Sequence, residues 1–117
     1  MIEFTLDHKI TSKDSLNAIY SGGHWQKRKS KADYFHQLVV VALRKLPPMR
    51  PFDKPVMFEF WFNSKLDLDN HGYLVKTIID GCKGIAIHDD TRKYVQAICI
   101  WYSEKEDVRV RITEVVS

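Results

Sequence analysis

Between Val56 and Asn63 the chain sets Val56, Phe58, Phe60 and Phe62 at every second position, with Met57, Glu59 and Trp61 between them. Successive side chains of a strand point to opposite faces, so this spacing commits four large apolar groups to one side of a sheet. Other elements must cover that side. Ile2 to Leu6 alternates in the same way and ends at Asp7-His8, which predicts a first strand. Phe35, Leu38, Val39, Ala42, Leu43 and Leu46 keep a helical period. They predict a helix from Ser30, its N-cap, to about Leu46, stopped by Pro47-Pro48. The run Val39-Val40-Val41 keeps a strand as the competing reading there. A second helix is expected from about Asn70 to Lys83, ended by Gly84. Val95 to Tyr102 is apolar on both faces, which suggests an interior strand. After the polar turn Ser103 to Asp107, Val108, Val110 and Ile112 alternate with Arg109, Arg111 and Thr113 as a half-exposed last strand. The order is β-α-β-α-β-β, an α+β domain with two helices packed on a mixed sheet.

At 117 residues the chain has room for one domain, residues 1–117. Hydrophobic residues at 44% and charged residues at 28% are enough for a packed core and a solvated surface, which argues against a disordered chain. The longest apolar run, Leu38 to Leu43, is far too short for a membrane span. The start, Met-Ile-Glu-Phe-Thr-Leu-Asp, lacks the basic and apolar regions of a signal peptide, so a cytoplasmic location is expected. Cys82 and Cys99 fall on apolar faces without CxxC spacing, which reads as reduced buried thiols. The stretch from Asp7 to Lys27 is polar, carries Ser21-Gly22-Gly23, and reads as a long unstructured connection of functional interest.

The net charge is only +3, but its placement is uneven. Lys27, Arg28, Lys29 and Lys31 crowd the start of the first helix near Tyr20 and Trp25, where cations oppose the helix dipole unless an anion compensates. Acidic residues concentrate instead between Asp67 and Asp90. A basic surface around an acidic pocket suits an enzyme that attracts a polyanion and holds a hard cation at its centre. At roughly 100° per residue, with Asp69 at zero, Lys76 falls at about 340° and Asp80 at about 20°. Leu74, Val75, Ile78, Ile79 and Cys82 fall between about 140° and 280° on the same scale. Asp69, Lys76 and Asp80 therefore share one stripe opposite the apolar face, which is also what a plain solvated face looks like. Asp67 sits just before them, and Asp89-Asp90 follow after the short loop Gly84-Ile-Ala-Ile. Carboxylate oxygens suit Mg²⁺, which takes one or two of them together with waters and substrate phosphate. Asp67, Asp69 and Gly72 also match three positions of a calcium-binding EF-hand loop, but its twelfth position is Ile78, where a bidentate Glu is required. His71 and His88 have no zinc-motif spacing and read as structural or solvent-facing. Asn70 suits a helix cap.

Asp67-Leu-Asp-Asn70, Lys76, Asp80 and Asp89-Asp90, followed by a β-rich end, resemble the RusA family of Holliday junction resolvases common in prophages. Asn17-Ala-Ile-Tyr20 and the basic residues after it resemble that family's N-terminal loop. One departure is the gap from Asn70 to Lys76, longer than in the family by about one helical turn, which keeps Lys76 on the same face. The resemblance implies an endonuclease that resolves four-way junctions by paired symmetric nicks as a homodimer, with Mg²⁺ or Mn²⁺ and no small-molecule cofactor. It assigns Asp67, Asp69 and Asp90 to the metal and makes Lys76 catalytic. Asp80 would position Lys76, with Asn70 and Asp89 supporting the ligands. Asn17, Tyr20, Lys27, Arg28, Lys29 and Lys31 would contact DNA. Another metal-dependent nuclease acting on flaps or branched DNA, or a junction-binding protein that does not cleave, are the alternatives.

Overall fold

The computed structural model describes the backbone of residues 1–21 and 25–115, and the side chains of 1–18 and 28–115. Four strands form one sheet in the order β1-β4-β2-β3. They are β1 (Ile2–Leu6), β2 (Val56–Phe62), β3 (Val95–Tyr102) and β4 (Val108–Glu114). β1 pairs antiparallel with β4, β4 antiparallel with β2, and β2 parallel with β3. The helices are α1 (Leu16–Ser21), α2 (Trp25–Arg44) and α3 (Gly72–Cys82), with short 3-10 turns at Ser12–Asp14 and Leu68–His71. The α+β class, the mixed sheet and the order of its main elements agree with the sequence expectation.

Alternation in β2 and β4 works as the period demands. Val56, Phe58, Phe60 and Phe62 are all fully buried, and Val108, Val110 and Ile112 face the same way beside them. Phe58, Phe60 and Phe62 stack along the strand with centroids 5.8 and 5.7 Å apart. α2 covers this face with Phe35, Val39 and Leu43, spaced four apart and all buried. Leu38 and Ala42 pack against the same core, and only a helix brings these even-numbered positions onto one side with Phe35, Val39 and Leu43, which decides the competition at Val39-Val40-Val41 in favour of helix. α3 packs against α2, and Gly81 lies at the crossing. A Cβ there would stand 2.9 Å from Cβ of Val39, so only glycine permits this approach. Gly84 follows with φ +79°, the left-handed geometry that turns the chain back toward β3.

Several expectations need correction. The polar stretch after β1 is not structureless: Thr11 caps the turn Ser12–Asp14 in a reciprocal capping box with Asp14, and α1 follows. α2 begins at Trp25, so Ser30 lies inside the helix instead of capping it, and among the described residues three helices replace the expected two. Gly22 and Gly23 of the expected loop lie outside the described residues. β3 is an edge strand, not an interior one. Its crossover through α3 places it beside β2, and among the described residues no further strand follows on that side, so Ile98, Trp101 and Tyr102 stay 47%, 52% and 52% exposed. Cys82 is buried as expected, and burial pushes its thiol pKa up, while Cys99 is only half-buried on this edge. Among the described residues no helix is long and apolar enough to cross a membrane.

Candidate active site

β2 delivers the chain into a loop that carries Asp67 and Asp69 and ends at α3. Two aromatic residues hold it. His71 is fully buried, lies flat on Phe62 at 4.7 Å between ring centroids, and meets Tyr102 edge-on. Its Nδ1 bonds the Leu68 carbonyl at 3.1 Å and its Nε2 meets the Ser64 hydroxyl at 2.9 Å. Tyr102 donates to the Leu66 carbonyl at 2.6 Å. His71 also occupies the position preceding α3, so Asn70 lies within the 3-10 turn and does not cap the helix. Asp67 and Asp69 are exposed, and among the described residues their carboxylates have no hydrogen bond or ion pair.

α3 is buried on nearly every side. Among its described residues only Lys76 is exposed, with Gly72 and Asp80 half-buried, so the stripe expected from the helical angles is there and is narrow. Angle is not distance, however. Asp67 and Asp69 stand at the amino end of α3 and Asp80 near its carboxyl end, and eleven helical residues span about 16 Å. Asp90 belongs with the second group. Lys83 reaches Asp90 at 3.2 Å, Asp80 at 3.3 Å and Asp89 at 3.9 Å. Burial works against the charge of Asp90, but its bonds with Lys83, Asp80 and Asp89 outweigh this and hold its carboxyl below the ordinary range. The same bond to Asp90, followed by that to Asp80, raises the pKa of Lys83. Lys76 lies between the two acidic groups. It lines a pocket of about 440 Å³ with Gly72, Val75, Ile79, Asp90, Arg92 and Ile98.

Among the described residues no three carboxylate, imidazole or thiol side chains converge into a group able to hold a metal by themselves. Asp67, Asp69 and Asp90 are thus not gathered at one point. The pair on the loop nonetheless has the chemistry Mg²⁺ asks for, since that ion ordinarily takes one or two carboxylates and completes its shell with water and phosphate oxygens. The exposed, unpaired state of Asp67 and Asp69 leaves those oxygens available.

The basic start of α2 lies beside this loop. Tyr73, in the first turn of α3, donates from its hydroxyl to the Arg28 carbonyl at 2.8 Å, and a side chain added at Gly72 would meet Leu16 of α1. Lys29 and Asn17 are exposed, and the side chains of Tyr20 and Lys27 lie outside the described residues. Lys31 is engaged elsewhere: its ammonium meets Asp14 at 2.7 Å and the Lys13 carbonyl at 2.8 Å. Asp14, 3% exposed, also accepts from His8 at 2.9 Å and from the Thr11 amide. Burial raises its pKa, but the bonds from His8, Lys31 and Thr11 prevail and bring it to about 2. His88 bonds exposed Asp53 and tilts against Tyr94, as a solvent-facing histidine would.

Sequence reasoning missed Lys83, Ser64, Tyr102 and Asp14. Lys83 had a local signal, being one turn beyond Asp80, and Ser64 and Asp14 have near partners in His71 and Thr11, whereas Tyr102 meets Leu66 and Asp14 meets Lys31 only through the tertiary fold. Comparisons with protein-family models, with curated proteins and with solved structures find no match to this chain.

Proposed function

We propose that the chain is a Mg²⁺-dependent structure-selective endonuclease of branched DNA, resembling the RusA resolvases and cutting four-way junctions as a homodimer. One observation carries the reading. Lys76, the exposed residue of an otherwise buried helix, stands between exposed carboxylates at one end and an Asp-rich cluster at the other. The basic start of α2 is tied alongside through the Tyr73–Arg28 bond. A cation between carboxylates, next to a basic ridge, suits a phosphodiester that arrives with its backbone charge.

In this reading Asp67 and Asp69 hold Mg²⁺, and Asp90 faces the substrate from the far side of the Lys76 pocket. When bound, Mg²⁺ supplies polarisation of the scissile phosphate and lowers the pKa of a water. Lys76, a compact cation on a rigid helix, neutralises charge developing on the phosphoryl oxygens. Lys83 keeps Asp90 ionised and oriented. Asn17, Arg28 and Lys29 bind backbone phosphates away from the cut, with Tyr20 and Lys27 assigned there by the resemblance alone. The exposed edge β3, with Ile98, Trp101 and Tyr102, supports a second copy as its cover.

The test incubates the protein with a labelled synthetic four-way junction and a matched linear duplex, with and without Mg²⁺. Junction cleavage that needs Mg²⁺ and symmetric nicks are expected. Asp69→Asn should lower the cleavage rate by orders of magnitude while junction affinity holds. Wild-type cleavage by Asp69→Asn rejects the site, and metal-dependent cleavage of flaps in preference to junctions favours the other nuclease class.

A further inference from the structure

We infer that His71 is a positioning residue for the acidic loop, setting Asp67 and Asp69 through the backbone on either side of them; this rests on the nuclease reading above. A carbonyl can only accept, so at 3.1 Å Nδ1 is the donor to Leu68. The Ser64 hydroxyl sits on Nε2 at 2.9 Å, and its oxygen accepts from the Leu66 amide at 3.0 Å. That serine therefore keeps its own proton for the imidazole. The loop is pinned at four backbone points. They are the Leu66 amide through Ser64, the Leu66 carbonyl through Tyr102, the Leu68 carbonyl through His71, and the Asp67 carbonyl through the Asn70 amide at 3.0 Å.

Asp67 and Asp69 sit among these points, yet none of the bonds uses their carboxylates. This is the arrangement a ligand loop requires. The backbone is held by a buried polar residue so that the side chains arrive oriented and unspent. A residue serving only the core at this position would stack equally well on Phe62 as a phenylalanine. The two ring nitrogens add nothing to that stack, and both face the loop.

His71→Phe keeps the stack and removes both nitrogens. In the variant, amide hydrogen exchange over residues 65–70 should accelerate while exchange in β2 and β4 stays at the wild-type rate. The half-saturating Mg²⁺ concentration should rise, and kcat on the junction fall, by about 10- to 100-fold, with KM for the junction unchanged. His71→Asn, whose amide nitrogen takes the place of Nδ1, should recover part of the loss. Wild-type exchange in the loop together with a wild-type Mg²⁺ requirement overturns the inference, as does exchange that accelerates uniformly through the sheet. Where His71→Phe does not fold, Ser64→Ala removes the Nε2 partner instead, with the same loop-confined exchange expected. Asp69→Asn runs alongside to separate the two claims. If wild-type protein cleaves no DNA at any metal concentration, the nuclease reading falls and loop exchange alone decides the role of His71.

Discussion

Asp14 shows how a single side chain joins two elements that are distant in sequence. Its carboxylate accepts from His8 just after β1, from Lys31 on α2 and from its own capping turn, all from a nearly inaccessible position. Folding lowers its pKa from 3.8 to about 2, so the stability it contributes is fully present above pH 4. That contribution disappears as the pH falls through about 2. The difference corresponds to about 2 kcal/mol. Urea unfolding at pH 6, 4, 3 and 2 should show wild-type protein losing that amount along the acid limb, over and above what Asp14→Asn loses. Parallel acid limbs for the two proteins would assign the pH dependence to other carboxylates.

Between elements, the tightest constraint is the α2–α3 crossing. Gly81 gives α3 no side chain where Val39 of α2 needs the space, with Cβ 2.9 Å and both Cγ atoms 3.2 and 3.3 Å from where a new methyl group would lie. In an exposed helix, alanine would favour the fold over glycine by about 1 kcal/mol. Here overpacking against a fully buried β-branched residue should reverse the sign, with Gly81→Ala costing about 1–3 kcal/mol. Denaturant unfolding measures that cost. Gly81→Ala combined with Val39→Ala should cost less than the two single changes summed, because the added methyl group takes up part of the space left by the two Cγ atoms, although Cβ of residue 39 stays in place. Strict additivity would mean that the helices separate without contact at this point. Since α3 carries Lys76 and follows Asp69, the same crossing also sets how far Lys76 stands from α2.

At the scale of the molecule, one sheet face is buried beneath helices and the other carries a charged band. There Trp61 lies beneath the guanidiniums of Arg109 and Arg111, at 4.1 and 5.0 Å from its ring centre, and Glu3 sits within ion-pair range of both. Among the described residues β3 has no such protection along its outer edge, and unpaired apolar edges recruit partners. Light scattering at micromolar concentration should give twice the 13.7 kDa chain mass. Trp101→Lys, which places a charge on the exposed edge, should return it to one chain while leaving the circular dichroism spectrum unchanged. A wild-type monomer throughout that range would remove both the dimer and the paired-nick chemistry that needs it.

The amino-acid sequence by itself determined whatever depends on period and local chemistry. Val56 to Phe62 and Val108 to Ile112 had to alternate between faces, Gly84 had to end α3, and Lys76 had to face away from Leu74 and Ile78. These follow from backbone geometry, which is the same wherever the segment finds itself. Tertiary structure alone decided that β3, apolar on both faces, lies at an edge, because edge and interior differ in neighbours rather than in composition. The capping box that orders the stretch after β1 was local, yet its payoff lies in Asp14 meeting Lys31 across seventeen residues, which no short spacing announces. At the candidate site the residue types and the helical stripe were legible. The axial separation of Asp69 from Asp80 was not, since a helical angle discards the rise along the axis. Nor was the burial of His71, which takes its meaning from Phe62, Ser64 and Tyr102, brought together only when the sheet forms.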